Sequence, residues 1–97
     1  MKRDEVTRIL KAQRSRLRLD YGVQSLALFG SVARDQATAQ SDIDLLVEFN
    51  RPVGFFGLLA LQDYLEKLFG CPVDLGTPDG LKPRLKSKVL AEQIYVI

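Results

Sequence analysis

Asp42 and Asp44 lie two residues apart, and ten residues separate Gly30-Ser31 from Asp42. On a strand, residues two apart project from the same face. Two carboxylates held that close repel each other unless a cation lies between them. Mg²⁺ is typically held by one or two carboxylates together with substrate phosphates, the usual arrangement for phosphoryl and nucleotidyl transfer. Gly30-Ser31 supplies the complementary half. A strand ending in glycine lets the backbone approach a phosphate closely, and the first turn of a following helix points free N–H groups at it. Ser31 adds a hydroxyl donor. Arg34, one turn further on, stands either as a contact to an anionic tail or as a surface charge. A third acid, Asp74, lies in the short apolar run Val73-Asp74-Leu75. If that run pairs with the strand after Asp42, Asp74 faces the same site, and three acids fit a two-metal displacement.

The elements that must position these residues follow from pattern. Val6, Ile9, Leu10 and Leu17 form a stripe that predicts an amphipathic helix over 4–19, closed at Gly22. Leu26 to Phe29 reads as a buried strand. Ser31 is a predicted N-cap for a short helix over Val32 to Ala37, followed by a polar loop at Thr38 to Ser41. Ile43 to Phe49 alternates: Ile43, Leu45, Val47 and Phe49 face one way, and Asp42, Asp44, Leu46 and Glu48 the other. Phe55 to Phe69 reads as a helix capped by Gly70. Val73 to Leu75 is a third strand, and Thr77 to Gly80 a turn. Pro83 opens a helix reaching about Gln93, and Ile94 to Ile97 closes as a strand. Helices alternate with strands, so the fold class is α/β.

Composition narrows the chemistry. The 97 residues contain no histidine and one cysteine, Cys71. His-based triads, His-ligated metals, internal disulfides and paired-cysteine zinc sites are therefore excluded, and a metal here must be a hard cation on oxygen ligands, Mg²⁺ or Mn²⁺. Cys71 reads as a small packing residue, and Tyr21, Tyr64 and Tyr95 as packing or rim residues. Apolar runs are too short for a membrane span, and Met1 to Glu5 lacks the apolar region of a signal peptide, which predicts an intracellular, cytoplasmic protein. Residues 1–20 carry seven Lys/Arg against three Asp/Glu, residues 21–80 three against eight, and residues 81–97 four against one. The basic ends are either solvated helix faces or flanks for an anionic ligand or partner. They lack interleaved aromatics, which argues against a dedicated nucleic-acid platform.

Leu28-Phe29-Gly30-Ser31-x-Ala33-Arg34, Ser41-Asp42-Ile43-Asp44-Leu45-Leu46-Val47 and Val73-Asp74-Leu75 resemble the DNA polymerase β-like nucleotidyltransferase superfamily, and most closely its minimal, MNT-type branch. The tail from Leu81-Lys82-Pro83-Arg84 to Ile94-Tyr95-Val96 is similar to that branch too, so the resemblance spans nearly the whole chain. It implies a single domain over 1–97, a small mixed β-sheet with flanking helices of polymerase β palm-like type. It implies metal binding and catalysis by Asp42, Asp44 and Asp74, with two Mg²⁺ ions, and a triphosphate held by Gly30 and Ser31, with Arg34 nearby. MNT-type proteins are often antitoxins of HEPN-domain ribonuclease toxins, and transfer AMP from ATP to a tyrosine of the toxin, sometimes several units. The resemblance thus implies ATP as substrate and a HEPN toxin as partner. The alternatives are an antitoxin that masks its toxin without catalysis, and transfer to a small molecule such as an aminoglycoside.

Overall fold

The computed structural model describes residues 2–36 and 42–97. Helices α1 (Arg3–Ala12) and α2 (Arg14–Tyr21) lead into strand β1 (Val23–Phe29) and the short helix α3 (Gly30–Ala33). Strand β2 (Ile43–Phe49), helix α4 (Phe55–Phe69) and strand β3 (Val73–Gly76) follow, then a 3-10 turn at Pro78–Gly80, helix α5 (Pro83–Glu92) and strand β4 (Ile94–Tyr95). The sheet order is β3-β2-β1-β4, with β2 antiparallel to β1 and parallel to β3. This is the expected mixed sheet with flanking helices.

The alternation predicted for β2 sets the two faces of the sheet. Ile43, Leu45 and Val47 are fully buried, in one apolar cluster with Leu26 and Leu28 of β1, Val73 of β3, Val6 and Leu10 of α1, Leu17 of α2 and Leu61, Leu65 and Phe69 of α4. Asp44 and Asp74 occupy the intervening positions and so belong to the opposite face. In β1 a register shift between Val23 and Ser25 resets the parity, so Val23 and Leu26 both reach the core. Tyr21 and Tyr64 stack at 4.8 Å between ring centroids, the packing role read from sequence. Among the described residues, no helix is long and apolar enough to cross a membrane.

The helix over 4–19, the first strand, the short helix after it and the last strand differ in their bounds from the sequence reading. The helix predicted over 4–19 is two helices, broken at Gln13 (φ −100°, ψ 11°). The Gln13 side chain accepts a 2.7 Å bond from the Tyr64 hydroxyl, a distant partner that holds the break. Strand β1 starts at Val23, because Val23 and Ser25 find partners in Phe49 and Glu48 despite the polar Gln24-Ser25. Ser31 is not an N-cap: α3 already includes Gly30, Phe29 holds the cap position, and no side chain caps the helix. That helix ends at Ala33 because Asp35 turns left-handed (φ 58°); Ala37 and the loop expected at 38–41 lie outside the described residues. Regular pairing of the last strand stops at Tyr95, although the Val96 N–H still donates to the Leu26 carbonyl at 2.9 Å.

Candidate active site

Register brings the acids together. In the parallel ladder Ile43 pairs with Val73 and Asp44 with Asp74, so the two aspartates are direct cross-strand neighbours on the face away from the core. The Asp44 carboxyl is pushed up from 3.8 to about 6, first by burial, then by repulsion from Asp74 and Asp42, with the Arg34 guanidinium pulling the other way. Asp42 stands exposed just before β2 and reaches Asp44 through its charge. Among the described residues, no three acid or cysteine side chains close into a ready-made cage. The close unit is the Asp44–Asp74 pair, with Asp42 beside it.

Gly30 completes the arrangement in a way that its sequence signal only partly shows. Phe29 pairs with Asp44 across the antiparallel ladder, so the chain turns at Gly30 directly beside that carboxylate. Gly30 has φ +71°, and a Cβ there would collide with Asp44 Oδ2. The glycine is thus required twice, for the left-handed bend and for the carboxylate's space. Ser31 lies half-buried in the first turn of α3, whose leading N–H groups have no partner within the helix.

Arg34 is within electrostatic reach of Asp44, but it is already engaged. Its Nη1 donates to Glu92 Oε2 of α5 at 3.3 Å and its Nε to Gln36 Oε1 at 3.2 Å. Sequence reading missed Glu92, which lies 58 residues from Arg34 and carries no local signal. It also missed Gln62 and Glu66 of α4, which bind the main chain of Val73. The available signal was their one-turn spacing beside the apolar Leu61 and Leu65. Cys71 is half-buried, and burial raises its thiol's pKa, as do Asp42 and Glu66, consistent with a packing role. A cleft of about 330 Å³ lined by Val47, Glu48, Phe49, Thr77, Pro78 and Asp79 lies at the far end of β2 and includes none of the three acids.

Oxygen-only donors, a cross-strand pair of carboxylates in which Asp74 opposes the ionisation of Asp44, and a glycine bend packed against Asp44 suit a hard divalent cation. Fold and site together define the class of carboxylate-based phosphoryl- and nucleotidyl-transfer proteins. Residues 7–96 match the model of the nucleotidyltransferase domain. The chain belongs to that family. It is 38% identical over 93 residues to the protein adenylyltransferase MntA of Thermococcus cleftensis, covering 96% of this chain and 94% of that one. A solved structure provisionally described as a minimal nucleotidyltransferase is 37% identical, with TM-score 0.82 over 97% of this chain and 95% of its own. A Shewanella oneidensis structure, a tri-AMPylated HEPN toxin in complex with its MNT antitoxin, has TM-score 0.66 at 19% identity, covering 94% of this chain and 71% of that one, a likeness of fold.

Proposed function

We propose that this chain is a protein adenylyltransferase that acts as an antitoxin, moving AMP from ATP to a tyrosine of a HEPN-domain toxin. The observation that carries the reading is the Asp44–Asp74 pair lying beside the Gly30 bend. The MntA relative's name and the tri-AMPylated toxin of the Shewanella complex support the donor and the partner. Asp42, Asp44 and Asp74 would hold Mg²⁺, which neutralises the phosphates and orients the attacking oxygen. The Gly30-Ser31 turn would seat the triphosphate with backbone N–H groups and the Ser31 hydroxyl. Arg34 would leave Glu92 to meet the phosphates. The phenol oxygen then bonds to the α-phosphorus as the bridge to the β-phosphate breaks. Pyrophosphate leaves and the phenol proton passes to solvent.

The test is incubation with labelled ATP, Mg²⁺ and the product of a neighbouring gene as the candidate HEPN toxin. The wild-type chain should label the toxin and relieve its ribonuclease activity, and Asp42→Asn should do neither. An unlabelled toxin, or an Asp42→Asn/Asp44→Asn variant that protects as fully as wild type, would overturn the reading, the latter in favour of masking.

A further inference from the structure

Strand β3 carries Asp74 and is the edge of the sheet. In a parallel ladder, alternate residues of an edge strand turn their main-chain groups inward. Pro72 does so, its carbonyl accepting from the Ile43 N–H at 3.2 Å. Val73, between Pro72 and Asp74, therefore turns its N–H and C=O away from the sheet. An edge strand presents such main-chain groups unpaired unless something covers them. Here both groups are taken. Gln62 Nε2 donates to the Val73 carbonyl at 2.9 Å, and the Val73 N–H donates to Glu66 Oε2 at 3.0 Å. The two side chains lie one turn apart on α4, which is anchored by the fully buried Leu61 and Leu65.

We infer that Gln62 and Glu66 are positioning residues: by clamping both main-chain groups of Val73 they fix the β3 rung that holds Asp74 opposite Asp44. The inference rests on the transferase reading for its consequence in turnover, but the clamp also has a direct consequence for cation binding. Only a bond acceptor is needed at Glu66, and only a donor at Gln62. Glu66→Gln keeps the acceptor at nearly the same size and loses the charge. Gln62→Glu keeps the size, loses the donor and sets a carboxylate against a carbonyl.

The 97-residue chain and these variants, with Glu66→Ala, are compared by three readouts: Mn²⁺ affinity without nucleotide by electron paramagnetic resonance, kcat and KM for ATP with the toxin, and thermal melting. Groups that orient metal ligands from behind are worth about tenfold or more in affinity. Gln62→Glu and Glu66→Ala should weaken Mn²⁺ and lower kcat by about that factor, with KM for ATP changed by no more than about twofold, because the triphosphate is seated at Gly30. Glu66→Gln should match wild type. The inference is overturned if all three variants bind Mn²⁺ as wild type does, if Glu66→Gln loses as much as Glu66→Ala, or if the losses only follow the unfolded fraction at the assay temperature. Should wild type label no toxin, the transferase reading fails and the Mn²⁺ comparison still decides the clamp.

Discussion

At the scale of single residues, the site stores an electrostatic conflict. Asp44 holds its proton up to about pH 6 because burial and two neighbouring acids oppose its ionisation. Its folded pKa lies above its unfolded value, so the native state binds the proton more tightly. The stability this gives is fully present below about pH 4 and is lost as pH rises through about 6. Solvent screening at this half-buried position leaves an effect of about 1 kcal/mol. Asp44→Asn removes the conflict. In melting experiments at pH 7.5 it should raise Tm by about 4–8 °C, with little change at pH 3.5, while transfer is lost. Wild-type transfer should fall as pH drops below about 6, because a protonated Asp44 is a poor cation ligand. Gly30→Ala should act in the opposite sense on stability. Its left-handed φ costs about 1–2 kcal/mol with a side chain, and the new Cβ meets the Asp44 carboxylate. Lower Tm together with lost transfer is the expected outcome, read by melting and by toxin labelling.

At the scale of elements, strong local signals read correctly and distant partners did not. Glycines at 22 and 70 end α2 and α4 with φ +70° and +71°, as their positions after apolar stripes imply. The alternation of β2 placed Ile43, Leu45 and Val47 inward without any knowledge of the fold. The break at Gln13 was illegible because it is held by Tyr64, 51 residues away, and because the stripe resumes at Leu17. The end of α3 was illegible for a different reason. Asp35 adopts φ 58°, a conformation that aspartate tolerates but does not announce. Asp35→Gly should relieve that conformation and stabilise the chain by about 0.5–1 kcal/mol, measurable as a rightward shift of the urea transition with unchanged slope.

At the scale of the whole molecule, function depends on how segments far apart in sequence are registered. The Asp-x-Asp and Gly-Ser motifs were visible as residues, and Asp74 as an acid in an apolar run. That Asp74 lies opposite Asp44 is a property of the parallel β2–β3 pairing, which no local pattern encodes. The Arg34–Glu92 pair likewise joins α5 to the end of α3. The charge asymmetry has one structural expression here, since the acidic middle of the chain supplies the three aspartates of the candidate site. The central claim is that Asp44 and Asp74 together seat a divalent cation at the Gly30 bend. Its most direct test is substoichiometric Mn²⁺ added to the isotopically labelled chain, with backbone amide signals followed by NMR. Selective broadening of Gly30, Asp44 and Asp74, abolished by Asp74→Asn, is the predicted result; broadening centred elsewhere, or unchanged in that variant, would contradict it.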